Sequence, residues 1–287
     1  MKAILLLFLV TALWGTTFPL QKMVLEGVSP FVFNALRFWI ATIVAFALGG
    51  KQNFKYGIIL GLFMAAGYVT QTWGLSLTTA SKSGFITSLY IIIVPILSFF
   101  FDRERVNRIQ LIGFTLAFVG SYFISGGLDG FSMGDFLTLI CSVAFAFHVV
   151  WITRISRKVS EKELLGWQFA VVAVINSFLG ANSSWSVPIQ AWMVALYCAV
   201  LASILAVFWQ LKFQKRVGNN TSALIFVGEP IFAAFFAYFI LGETLTRSQS
   251  MGAVFLTISL ILVSFKPQWI SKNLWYTSNA KSSKRRV

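Results

Sequence analysis

The second half of this chain repeats the first in a way that turns it over. Gln71, Ser83, Glu104, Gln110 and Gly113 return 139 residues later as Gln210, Ser222, Glu243, Gln249 and Gly252. Upstream the offset is slightly shorter, which sets Phe38 against Phe169 and Arg37 in the slot of Gln168. Each copy holds about five apolar segments near the length of about 20 residues that a bilayer-spanning helix needs. An odd number of crossings sends the second copy in from the opposite face. Inverted repeats of this kind occur in secondary transporters, with substrate held near the midplane where the halves meet.

Composition leaves little room for anything but membrane. Of 287 residues, 57% are hydrophobic and 11% charged, against about 25% charged in a soluble domain. The expected spans are 3–21, 30–49, 56–77, 83–101, 108–125, 134–153, 164–182, 190–211, 220–241 and 248–265. Pro30, Asn107, Gly134 and Pro188 mark starts, and Gly49-Gly50 and Gly126-Gly127 mark ends. Two repeats over 1–130 and 131–266 are expected, followed by a basic tail over 267–287. Met1-Lys2 and the run Ala3 to Leu13 imitate a signal peptide. The apolar run continues through Trp14-Gly15-Thr16-Thr17-Phe18, so a first membrane helix is expected.

A net charge of +14 would suggest nucleic acid in a soluble protein. Here the Lys and Arg fall in short loops, where they set orientation, and no nucleic-acid partner is expected. With a cytoplasmic N-terminus, only Lys22, Lys82 and Arg247 lie outside and Arg37 lies within the membrane. All other Lys and Arg then lie inside. That asymmetry predicts ten spans with both termini cytoplasmic. Cys141 and Cys198 lie in apolar spans without metal or redox spacing, and no metal or cofactor is expected. Gly57, Gly61 and Ala65, and likewise Gly113, Ala117 and Ser121, recur every four residues, a spacing that lets helices approach closely in lipid.

The order of several short motifs resembles the EamA branch of the drug/metabolite transporter superfamily. Ala12-Leu13-Trp14-Gly15-Thr16-Thr17-Phe18 resembles its opening motif, and Asn34-Ala35-Leu36-Arg37-Phe38 its second-helix motif. Thr221-Ser222-Ala223, Glu229-Pro230 and Leu241-Gly242-Glu243-Thr244-Leu245-Thr246 resemble its closing motifs. The first repeat departs from this pattern, with Phe101-Asp102-Arg103-Glu104-Arg105 at the corresponding place. The resemblance covers essentially the whole chain. It implies a ten-helix carrier of small organic metabolites, often amino acids or their relatives, commonly exporting them through a central cavity closed alternately on either side.

Ionisable side chains in a bilayer cost about 2.5–3.5 kcal/mol on insertion scales, so Arg37, His148 and Glu229 each need a reason. Counting along their helices puts Arg37 and Glu229 near the midplane. They are read either as substrate or proton sites or as a structural ion pair. Glu229 is the deep carboxylate and precedes Pro230, whose missing N–H frees a carbonyl. His148, about one turn from the cytoplasmic end and near Arg154, is either a proton relay or a helix-end histidine bonded to a neighbour. Ser83, Thr87 and Tyr90 form a polar stripe answered by Ser222 and Glu229. Gln71 is answered by Gln210, and the first span offers Thr11, Trp14, Gly15 and Phe18. Such stripes point to a cavity or to interhelical hydrogen bonds.

The expected cavity set is Trp14, Arg37, Gln71, Tyr90, Gln210 and Glu229, with Glu229 and His148 as proton-coupling candidates. Aromatic residues near it (Trp14, Tyr68, Trp73, Tyr90, Trp167) suit an amino acid or another amphipathic or cationic solute. Nucleotide-binding loops and catalytic sets are absent from the sequence, so a non-enzymatic carrier is expected. Its partners would be solute and lipid, with a homodimer left open. The rival readings are a membrane enzyme acting on lipid and a non-transporting receptor or scaffold.

Overall fold

A backbone in hydrocarbon must bond to itself, which leaves helices or closed barrels. This chain takes the first route. The computed structural model describes residues 2–124 and 131–264, and every regular element among them is helical. The 267–287 tail and the Gly126-Gly127 boundary lie outside the described residues.

Helix α1 runs over Lys2–Leu25, α2 over Pro30–Ala47 and α3 over Phe54–Ser76. Next come α4 at Ala80–Thr87, α5 at Tyr90–Asp102 and α6 at Arg108–Ile124. In the second half, α7 covers Met133–Ser156, α8 Glu161–Leu179 and α9 Ile189–Tyr197. A π-helical stretch, Cys198–Leu205, joins α9 to α10 at Ala206–Val217. Helices α11 (Asn219–Phe226), α12 (Gly228–Leu241) and α13 (Arg247–Ser264) follow.

Among the described residues, seven stretches are long and apolar enough to cross a bilayer: 2–25, 30–47, 54–76, 80–102, 133–156, 189–217 and 219–241. At 1.5 Å per residue, the 23 residues of α3 reach about 34 Å against a hydrocarbon core of about 30 Å. Ile43, Phe100, Phe178 and Phe239 are exposed around the perimeter. In water such a surface would aggregate; against lipid it costs nothing. The chain is a multi-pass membrane protein.

Helix starts follow local chemistry. Pro30 occupies the first turn of α2, where its absent N–H is not missed. Ser132 and Asp135 form a reciprocal capping box at α7, and the Thr79 hydroxyl accepts from the Lys82 N–H at α4.

Three segments expected to be unbroken are not. The 83–101 segment splits at Ser88-Leu89, where the N–H groups of Leu89, Ile91 and Ile92 bond three residues back instead of four. The 220–241 segment splits at Val227, where Pro230 has no N–H to offer the Phe226 carbonyl. The 190–211 segment widens into the π-helical stretch, a feature that recurs at functional sites.

Helix α3 packs between α7 and α8, α2 lies on α8, α1 on α12, and α6 on α13. The close approach of α3 to α8 depends on glycine. A Cβ at Gly61 would stand 2.7 Å from the Val171 Cβ and 3.0 Å from the Gln168 backbone. Gly61→Leu should therefore push the pair apart and destabilise the protein by about 1–3 kcal/mol, as overpacking does. Thermal unfolding in detergent checks this, and an unchanged Tm would remove the contact from the packing account.

Polar links gather the helix ends into two groups. At one, the Trp167 Nε1–H donates to the Lys51 carbonyl at 2.7 Å, Asn53 donates to Glu163, and Lys215 pairs with Glu161 at 2.6 Å. At the other, Lys22 donates to the Leu75 and Ser76 carbonyls, and Lys82 pairs with Asp135 at 2.7 Å.

Candidate functional site

The helix breaks stand beside an internal cavity. Its wall is built from α1 (Trp14, Thr17), α3 (Met64, Tyr68, Gln71), α5 (Tyr90), α7 (Phe145, His148, Val149), α10 (Val207, Gln210), α11 (Phe226) and α12 (Glu229). The space among them is about 520 Å³, the part that opens outward included. Of the residues expected from sequence, Trp14, Gln71, Tyr90, Gln210, Glu229 and His148 all lie on this wall.

Arg37 does not. It stands one layer behind, with its guanidinium 4.6 Å from the Tyr68 ring centre and 5.0 Å from that of Phe38. Its Nε donates to the Ser203 Oγ at 3.0 Å and its Nη2 to the Tyr68 hydroxyl at 3.3 Å. Among the described residues no ion pair joins Arg37 to Glu229. The pairing envisaged from their depths does not form: Arg37 turns its Nε and Nη2 to the π-helical stretch and α3, and its buried Nη1 has no hydrogen-bond partner among the described residues. Trp73 and Trp167 are also off the wall. Trp73 packs edge-on against Phe31 near a helix end, and Trp167 bonds to the Lys51 carbonyl.

Tyr90 and Glu229, which occupy equivalent places in the two halves, meet here. The Tyr90 hydroxyl donates to the Glu229 Oε2 at 3.4 Å, long for an O–H···O bond. Both side chains are nearly fully buried. The carboxylate therefore has a weak partner, no cation among the described residues, and the rings of Trp14, Tyr68, Phe145 and Phe226 on the same wall.

The rest of the wall is held in place from behind. The Trp14 Nε1–H donates to the Ala202 carbonyl at 2.9 Å, so the π-helical stretch fixes Trp14 as well as Arg37. Gln210 donates to Gln214 at 2.9 Å, and Gln214 donates to Thr153 at 2.8 Å. Gln71 lies 3.4 Å from the Thr87 hydroxyl, its acceptor. His148 sits deeper than expected because α7 runs on to Ser156, about 12 Å beyond it. Its neighbour is Gln168, whose Oε1 lies 3.3 Å from the His148 Nε2. Arg154 is elsewhere, donating to the Phe101 carbonyl at 2.8 Å. The slot shared by Arg37 and Gln168 thus backs a wall residue in both halves, Tyr68 in one and His148 in the other.

The sequence reading missed Thr17, Met64, Phe145, Val149, Val207 and Phe226. Five of these stand three or four residues from a residue it named, on the same helix face. Carrying each polar stripe one turn further would have found them. Outside the membrane-spanning segments, burial raises the Glu104 carboxyl above the ordinary carboxylate range, opposed by the N–H donors of Asn220 and Asn219.

These features define a helical membrane protein with a polar, aromatic-walled chamber in its interior, which is the build of a solute carrier. The chain belongs to the EamA-like transporter family, whose pattern matches residues 1–126 and again residues 132–265. It is 34% identical over 262 residues to an uncharacterized transporter of Archaeoglobus fulgidus, covering 91% of this chain and 85% of the relative. It is 23% identical over 275 residues to the uncharacterized inner membrane transporter YedA of Escherichia coli K12, covering 90% and 89%. A solved crystal structure aligns with a TM-score of 0.74 at 19% identity, over 92% of this chain and 99% of the other, a likeness of fold. The protein is a membrane transporter.

Proposed function

We propose that this protein is a secondary transporter that moves a small organic metabolite across the cytoplasmic membrane by alternating access. The solute is an amino acid or a related amphipathic cation, and the direction is export. On this reading the chain crosses the membrane ten times as two inverted five-helix repeats, over 1–130 and 131–266. Both termini are cytoplasmic, and the 267–287 tail follows the second repeat. The six shorter or broken stretches then pair across the repeat: α4–α5 with α11–α12, and α6 with α13.

The observation that carries this is the meeting of Tyr90 and Glu229. Residues 139 apart, from corresponding places in the two halves, face each other across one chamber. A two-fold axis between the halves brings such equivalent residues together, and an odd number of spans in each half, on this reading, lays that axis in the membrane plane. The chamber's chemistry suits a solute with a positive group and an apolar body. Flux of radiolabelled amino acids and organic cations into proteoliposomes tests it, preceded by a thermal-shift screen of metabolites to choose solutes. Absence of saturable flux for every solute that raises the Tm would overturn the reading.

Orientation has its own test. Single cysteines near Lys51, Arg105, Lys158 and Arg216 should resist an impermeant thiol reagent added to intact cells and react after permeabilisation. Efficient external labelling at two or more of them would reverse the topology and remove the inverted repeat with it.

A further inference from the structure

Two glutamates outside the chamber, in corresponding places of the two halves, each reach across to the other half. Glu104 follows α5 in the first half, yet its Oε2 accepts from the Asn219 N–H at 2.9 Å and its Oε1 from the Asn220 N–H at 3.0 Å, at the start of α11. Glu243 follows α12 in the second half, yet its Oε1 accepts from the Ala80 N–H at 2.9 Å and its Oε2 from the Ser81 N–H at 3.0 Å, at the start of α4. The exchange follows from packing, since α5 lies on α11 and α4 on α12. The two links sit at opposite ends of the helices. Glu104 shares its end with Asp102 and Arg154, and Glu243 shares its end with Lys82 and Asp135. Each link satisfies the first N–H groups of a helix in the other half, which would otherwise be orphaned.

The links are unequal. At the Glu243 end the Ser81 hydroxyl adds a third bond to Oε2 at 2.6 Å, and Thr79 caps α4 independently. At the Glu104 end α11 has no side-chain cap of its own. Gly218 stands in the cap position at φ +89°, and a Cβ there would come within 3.0 Å of the Glu104 Oε1. Asn219 donates to the Asp102 Oδ2 at 2.8 Å, but its Oδ1 is buried without a partner among the described residues, and so are both side-chain polar atoms of Asn220. Closing this end therefore strands three amide atoms that water would satisfy if it opened, and a stranded buried polar group costs stability.

We propose that Glu104 and Glu243 are the two gate latches of the transport cycle, and that the Glu104 latch is the weaker, so that the empty carrier opens preferentially at that end. The proposal rests on the alternating-access reading. On the topology proposed above, the weak latch faces the cytoplasm, where an exporter must load. Glu104 and Glu243 are positioning residues: they touch no solute and act by holding α11 and α4.

The test reads opening directly, apart from flux. Spin labels at Arg105 and Arg216 report the Glu104 end, and labels at Leu77 and Thr244 the Glu243 end, by pulsed dipolar spectroscopy of the full chain in lipid nanodiscs. The native thiols Cys141 and Cys198 are buried, so introduced ones carry the label. In the wild type, a longer-distance population should appear at the Arg105–Arg216 pair and not at the Leu77–Thr244 pair. Glu104→Gln replaces one acceptor oxygen by a donor facing an N–H. It should raise the ratio of long to short distances at the first pair about tenfold, the effect of losing a charge-assisted bond.

Glu243→Gln should create a long population at the second pair and shrink that at the first. Asn220→Ser copies Ser81, removes two stranded atoms and offers Glu104 a hydroxyl. It should shrink the long population at the first pair and raise the Tm, and it keeps the test available if a glutamine variant fails to fold. Two latches acting on the same pair, or neither acting, would overturn the gate assignment. A wild-type long population at the Leu77–Thr244 pair, or an unchanged ratio in Asn220→Ser, would overturn the asymmetry. Absent flux with these distance changes intact would sink the transport reading and leave the latches standing.

Discussion

Replacing Glu229 by Gln should reduce transport at least about tenfold while leaving the protein folded. Glu229 is buried on the chamber wall with one long bond from Tyr90. The glutamine keeps size and an acceptor for the Tyr90 hydroxyl, and it removes only the charge. A deep carboxylate must be paired, hydrated or protonated. If its partner in the working cycle is the cationic group of the solute, the lost interaction belongs to a charge-assisted bond, worth about 1.5–3 kcal/mol or roughly ten- to a hundredfold in binding. The Tm should stay within a few degrees, because no protein cation among the described residues depends on this carboxylate.

Arg37 separates that outcome from its rival. Were Glu229 the counter-ion of Arg37, Glu229→Gln would strand a buried cation, and adding Arg37→Gln would restore stability. The structure gives Arg37 other partners: Ser203, the Tyr68 hydroxyl, and the rings of Tyr68 and Phe38. Arg37→Gln should therefore destabilise by itself, and the double variant should be the sum of the two singles within about 0.5 kcal/mol, as for sites without shared partners. Flux and Tm for both singles and the double decide it. Wild-type flux by Glu229→Gln would remove the residue from the site, and rescue in the double would restore the ion pair.

What the sequence makes legible follows from the solvent. In hydrocarbon, apolar length maps onto helix almost without competition, so the helical stretches fall close to the apolar runs. Repeat register pairs Gln71 with Gln210 and Tyr90 with Glu229, and all four line the cavity. The misses share a different cause. Whether Arg37 chooses a carboxylate or two aromatic rings depends on the lateral arrangement of α2, α3 and α12, about which periodicity along one helix is silent. His148 lies deeper than the expected 134–153 span implies, because α7 continues past Thr153 to Ser156. The Ser88-Leu89 break and the π-helical stretch carry no local breaker residue, and no physical account of either emerges from their composition. The exchanged capping by Glu104 and Glu243 was visible as a repeated residue, with nothing in the sequence to say that each serves the other half.

Removing Asn34 should be the most destabilising of the single changes considered. Asn34 is fully buried in α2 and bonded in three directions. Its Nδ2 donates to the Tyr68 carbonyl at 3.0 Å and to the Asn176 Oδ1 at 3.2 Å, and its Oδ1 accepts from the Thr72 hydroxyl at 3.1 Å. It thereby ties α2 to α3 and α8 at one point, directly behind the wall residue Tyr68. A single interhelical hydrogen bond in a membrane averages only about 0.6 kcal/mol, since unfolded helices find other partners. Asn34→Ala is a harsher event, because it strands the Asn176 amide oxygen and the Thr72 hydroxyl together in a site closed to water. At about 1–3 kcal/mol for each stranded group, a loss of about 2–5 kcal/mol is expected. Thr72→Val leaves the other two bonds and strands one buried group, the Asn34 Oδ1, in place of two, so it should cost about 1–3 kcal/mol. Because the network supports Tyr68, Asn34→Ala should also weaken solute binding, whereas Thr72→Val should spare it. Unfolding in mixed detergent measures the first effect, and solute-induced shifts in Tm the second. Equal stability losses in the two variants would show that Asn34 contributes one bond like any other and that the three-way junction has no role of its own.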